Sequence, residues 1–140
     1  MTEDVLLLAI KPRWVDPILG GLKVVELRRN RPPIGAGSQV ILYASRPTSA
    51  LVAVCVVSSV RTLPLNVLWN ATAGASHCTR DEFDRYFQGV AEGTAIRFRS
   101  PRRIRPVGLA TMRQEISAGM PPHSFRVIPR AKVEHLIAVV

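Results

Sequence analysis

The hydrophobic positions of this chain fall into short runs punctuated by proline, glycine and arginine, not into long helical stripes. Residues 5–10 are one continuous apolar run, as a buried strand requires, and Pro12 breaks it. Trp14, Val15, Ile18 and Leu19 then suit a short helix that stops at Gly20 and Gly21. Residues 23–29 alternate around a β-branched centre and predict a strand. Val25 and Leu27 would take one face; Val24, Glu26 and Arg28 the other. Pro32, Pro33, Gly35 and Gly37 mark a loop, residues 38–44 a further strand, and Arg46-Pro47-Thr48 a turn. Residues 50–60 form the longest β-like run and predict a central strand.

Residues 64–73, with Leu65, Leu68 and Trp69, predict a helix. Thr79 followed by Glu82 is a capping box. Phe83, Tyr86 and Phe87 come next at helical spacing, which favours core packing over a stacking platform, and Gly89 ends the element. Residues 93–98 predict a strand, and Arg99, Arg102, Arg103 and Arg105 beside it flank Pro101. A helix is expected around residues 109–115, a loop at Met120-Pro121-Pro122 and a short strand over residues 123–128. The tail from residue 130 fits strand or helix equally. Strands joined by few, short helices predict an α+β fold: a small twisted sheet closed into a barrel. No repeat, linker or charge break divides residues 1–140, so one domain is expected.

Composition narrows the function. A hydrophobic share of 47% supports a packed globule and argues against intrinsic disorder. No apolar run reaches the ~18 residues of a transmembrane helix. Thr2, Glu3 and Asp4 lack the positive character of a signal peptide, and Cys55 and Cys78 form no disulfide framework, so a reduced, cytoplasmic setting is expected. The formal net charge is +9, almost wholly from arginine. That excess favours an anionic partner, nucleic acid or a nucleotide, over a generic basic surface.

Several signatures are missing. The chain has no phosphate-binding glycine loop and no nucleophile elbow, and His77, His123 and His135 lack paired ligand spacing. Neither a metal nor another cofactor is expected. What remains is Lys23, Glu26, Arg28 and Arg29, directly after a glycine-ended helix. An acid among cations in a cleft can accept from an exocyclic amine while the cations hold phosphate. The same pair, Lys23 and Glu26, could serve general acid–base or nucleophilic chemistry. The plain alternative is a solvated cross-strand salt bridge worth ~0.5 kcal/mol.

The stretch LLLAIKPRWVDPILGGLKVVELRRNRP, from residue 6 to residue 32, resembles the opening of an ASCH domain, a relative of the PUA barrel. That pattern is a strand ending in Lys-Pro, a short helix, then Gly-x-Lys-x-x-Glu-x-Arg. Here it reads Lys11-Pro12, then Gly21, Lys23, Glu26 and Arg28. Later segments are similar to a small bacterial and phage branch, and there the YAS and SFR stretches, with Ser45, Arg46, Ser124 and Arg126, resemble parts of a cleft wall. The resemblance implies a PUA-like barrel of about six strands, a cleft beside the first helix, and RNA binding. Some members are enzymes, among them a ribonuclease and an N4-acetylcytidine amidohydrolase. In the amidohydrolase branch the lysine matches Lys23, but the threonine three residues on is Glu26 here. Its catalytic glutamate falls near residues 75–78, where this chain has no acid.

The expected partner is therefore RNA or another single-stranded nucleic acid, with a nucleotide possible and no membrane. Contacts are expected from Lys11, Lys23, Glu26, Arg28, Arg29, Arg31, Ser45, Arg46, Ser124 and Arg126, and from Arg99, Arg102, Arg103 and Arg105 as a phosphate-tracking surface outside the cleft. If the chain is an enzyme, the expectation is a metal-independent hydrolase of RNA or modified nucleosides that uses Lys23 and Glu26.

Overall fold

A computed structural model describes residues 4–116 and 125–137. The loop expected at Met120, Pro121 and Pro122, together with His123 and the site residue Ser124, lies outside the described residues. Six strands form one sheet: β1 (Asp4–Ile10), β2 (Val25–Arg28), β3 (Gln39–Ala44), β4 (Ala50–Pro64), β5 (Glu92–Gly108) and β6 (Phe125–Pro129). Their order is β2-β5-β4-β3-β1-β6. Among the described residues only β1 and β3 pair in parallel, and the other ladders are antiparallel. These pairings leave β2 and β6 at the two ends, so the expected barrel is an unclosed one.

The central strands are buried on both faces, which explains their unbroken apolar sequences. Leu6, Leu8, Ile10, Val40 and Leu42 point to one core with Val15 and Ile18 of α1 (Val15–Leu19). Val5, Leu7, Ile41 and Tyr43 point to the opposite core. Met112 of α4 (Leu109–Glu115) and Val133 of α5 (Arg130–Val133) close that second core, so the tail begins as helix. A third cluster joins Val25 and Ala95 to Leu68, Phe83 and Phe87. It is built by α2 (Leu65–Thr72) and α3 (Arg80–Tyr86), which cover the β2–β5 end of the sheet.

Two elements run longer than their patterns suggest. β4 continues to Pro64, and β5 continues through the arginine cluster to Gly108. Arg99, Arg102, Arg103 and Arg105 thus belong to a strand instead of flanking one. Beyond Phe98, among the described residues, β5 pairs only with β4. Such an open edge tolerates Pro101 and Pro106, and charged side chains along it oppose pairing with other chains.

Candidate functional site

β1 and β3 end side by side. The Ser45 amide donates to the Ile10 carbonyl at 2.9 Å, and the chain then departs in two directions. From β1 it passes Lys11 and a 3-10 turn, Pro12–Trp14, into α1. From β3 it turns through Ser45, Arg46 and Ser49 into β4. A cleft of about 970 Å³ opens between these departures, α3 and α4.

The cleft floor is set by how the chain enters β2. Gly21 takes a left-handed φ of 81°, and the amides of Leu22 and Lys23 fold back onto the Pro17 carbonyl at 2.9 and 3.0 Å. Glycine adopts that conformation without a Cβ penalty. The amides of Val24 and Val25 then donate to the Ala75 carbonyl at 2.8 and 3.1 Å, which ties the mouth of β2 to the turn after α2. With that start fixed, strand alternation sends Val25 and Leu27 to the third core and Glu26 and Arg28 toward the cleft. The expected facing therefore holds over residues 25–28, whereas Val24, expected beside Glu26 and Arg28, lies before β2 and packs against the third core with Val25 and Leu27.

Lys23 is only 3% exposed. Its Nζ donates to the Ser76 carbonyl at 2.6 Å, stands 3.4 Å from Glu26 Oε1, and lies 4.7 Å from the centre of the Trp14 ring. Arg28 Nη2 donates to Glu26 Oε2 at 2.9 Å and to the Ala9 carbonyl. Glu26 is buried too, so its carboxylate bridges two cations at low exposure. A charge this buried persists only when paired and hydrogen-bonded. The solvated salt bridge that spacing alone allowed is thereby replaced by a buried ion cluster.

Around the floor stand exposed cations: Lys11, Arg13, Arg46, Arg85 and Arg113. The cleft lining holds seven cationic side chains against two carboxylates, Glu26 and Glu82. Both acids are already paired; Glu82 receives Arg13 at 2.7 Å. Glu82 also closes the capping box of α3, and the Thr79 backbone amide, ahead of Arg13, holds its carboxyl below the usual carboxylate range. Trp14 and Tyr86 supply aromatic wall. Partial burial pushes the Tyr86 phenol above its ordinary range.

The structure brings together Lys11, Lys23, Glu26, Arg28, Ser45 and Arg46 of the expected set. Among the described residues, it leaves the others of that set off the cleft lining. Arg29 caps the end of α3 by donating to the Tyr86 and Gln88 carbonyls at 3.0 and 2.9 Å. Arg31 reaches over β4, to the Thr62 hydroxyl and the Val60 carbonyl, both at 3.2 Å. Arg126 sits on β6, paired in register with Leu7. The β5 arginines lie outside the cleft, as expected, and Arg103 reaches Asp16 of α1 at 3.4 Å. Sequence reasoning missed Arg13, Arg85 and Arg113 as lining, and it assigned Tyr86 to core packing; Trp14 both packs against the first core and lines the cleft. The one local signal was the KPRW run, which crowds two cations and an aromatic at the end of a strand.

Among the described residues, no helix is long and apolar enough to cross a membrane. No group of three or more metal-ligating side chains occurs among them either.

An α+β domain with a basic cleft at the ends of a parallel strand pair is the class that fold and site define. The chain belongs to the ASCH domain family, whose model matches residues 8–102. It is 23% identical over 132 residues to an ASCH domain-containing ribonuclease of Zymomonas mobilis, a match covering 94% of this chain and 89% of that protein. The crystal structure of ASCH from Zymomonas mobilis superposes with a TM-score of 0.88 at 23% identity, over 94% of this chain and 92% of that one. The N-terminal domain of Staphylothermus marinus McrB is more distant, with a TM-score of 0.53 at 16% identity over 95% and 92% of the two chains. These structural likenesses establish the PUA-like fold.

Proposed function

We propose that this protein binds single-stranded RNA and takes one base into the cleft. The observation that carries the reading is the combination of a buried Glu26 between Lys23 and Arg28 with a rim of exposed cations. The rim suits phosphates, and a concave polar floor suits an unstacked base. A duplex would keep its bases out of reach. The relation to a protein named a ribonuclease supports RNA as the ligand class. The test is equilibrium binding of a labelled single-stranded RNA pool to wild type and to the Arg46→Ala/Arg113→Ala double variant. The expected result is salt-sensitive binding that the double variant weakens roughly tenfold or more. Absence of binding to RNA, or binding indifferent to both changes, overturns the reading.

The same relative's name motivates a second reading, RNA cleavage. Lys23 and Glu26 are its candidate catalytic residues. Each is already committed to buried partners, so proton transfer to a substrate would require exchanging those contacts. For that reason binding is the primary proposal. Turnover of labelled RNA that Glu26→Gln abolishes in a folded protein would favour cleavage.

A further inference from the structure

Which base the cleft selects depends on the hydrogen-bonding capacity that its floor has left. Lys23 has three N–H bonds. They face the Ser76 carbonyl at 2.6 Å, Glu26 Oε1 at 3.4 Å and the Trp14 ring at 4.7 Å. Arg28 Nη2 is spent on Glu26 Oε2 and the Ala9 carbonyl. Glu26 is different. A carboxylate offers about four acceptor positions, and here each oxygen receives one cation. The floor thus presents spare acceptor positions on two adjacent oxygens.

We infer that the Glu26 carboxylate makes the cleft selective for guanine, through its paired N1–H and exocyclic amino donors. This inference rests on the binding reading above. Guanine places two N–H groups side by side, matching two carboxylate oxygens. Adenine and cytosine set one amino group beside a ring nitrogen whose lone pair would face the second oxygen. Uracil flanks its single N–H with two carbonyls, which a carboxylate repels. A base lacking one of the two donors forfeits a charge-assisted hydrogen bond to the carboxylate and leaves one of its remaining buried acceptor positions unfilled.

Uridine pentanucleotides carrying guanine, hypoxanthine, adenine, cytosine or uracil at the centre test the idea on the wild-type protein. Hypoxanthine keeps N1–H but lacks the amino group. The guanine oligomer is expected to bind tightest, with the hypoxanthine oligomer roughly tenfold or more weaker and uracil no better than hypoxanthine. Glu26→Gln should erase the guanine–hypoxanthine difference, since an amide offers only one acceptor. The wild-type comparison decides the matter even where that variant fails to fold. Equal binding of the guanine and hypoxanthine oligomers overturns the selectivity and leaves RNA binding standing. Binding to none of the five overturns both.

Discussion

The Lys23 ammonium donates to the Ser76 carbonyl oxygen at 2.6 Å, joining residues 53 apart in sequence and locking the mouth of β2 to the turn after α2. The same nitrogen neighbours Glu26 in a cluster that is nearly out of solvent. Removing one partner of a buried ion cluster strands the remaining charge. Lys23→Ala is therefore expected to lose about 3–5 kcal/mol of stability by urea unfolding. A loss below about 1 kcal/mol, the range of an exposed pair, would mean that this contact does not hold the floor. Because the change acts on the fold, Lys23→Ala is a poor probe of binding by itself.

Salt dependence separates the cleft cations from the remaining arginines. For a single-stranded ligand the slope of log affinity against log salt is about −0.7 per neutralised phosphate. Arg46→Ala and Arg113→Ala remove exposed cleft cations, so each should flatten the slope by about one such unit. Arg31→Ala should leave it unchanged, because that guanidinium is engaged with Thr62 and Val60 over β4. Equal flattening by all three would place the phosphate contacts on the general basic surface instead.

Tyr86 is 41% exposed and faces the cleft, while its neighbours Phe83 and Phe87 are buried. An exposed ring at a nucleic-acid cleft is suited to stacking, worth about 1–3 kcal/mol per base. Tyr86→Ala is expected to weaken RNA binding by that amount, and Tyr86→Phe to retain most of it, as isothermal titration would measure. Comparable losses in both variants would assign the contribution to the hydroxyl, which lies 3.3 Å from the Arg29 amide.

Glu82 gives the fold a pH signature. Its folded-state carboxyl is depressed, chiefly by the Thr79 amide, so its stabilising effect is complete above the ordinary carboxylate value of 4.5. That contribution disappears as pH falls through the lowered folded value. The stability gap between wild type and Glu82→Gln should thus be present at pH 7 and close as the solution is acidified below about pH 4. Urea midpoints across that window report it; a gap that widens with acid would reverse the assigned sign. Thr79→Ala, which removes the other half of the capping box, should cost about 1 kcal/mol at neutral pH.

The pattern of residues 23–29 was legible because strand alternation alone decides which side chains share a face, and Glu26 and Arg28 do. The capping box at Thr79 and Glu82 was legible for a similar reason, since all its partners lie within one turn. Convergence over long separations was not. Arg13, Arg85 and Arg113 meet only because α3 and α4 close around the ends of β1 and β3. Arg29 and Arg31 carry the same charge as their neighbours, yet tertiary contacts turn them to α3 and β4. In β5 the prolines and arginines hid a strand, since an edge accepts residues that a paired position excludes. The fold class and the family's opening motif came through, whereas the extent of the cleft did not.

The chain's two tryptophans report directly on whether the cleft is the RNA site. Trp14 lines the cleft, and Trp69 packs against Phe83 in the third core with ring centres 5.2 Å apart. The measurement is the shift of the two indole N–H resonances during titration with a short single-stranded RNA. The Trp14 signal is expected to move saturably while the Trp69 signal stays in place. RNA binding that leaves Trp14 unmoved, or that shifts Trp69 alone, would contradict the cleft as the RNA site.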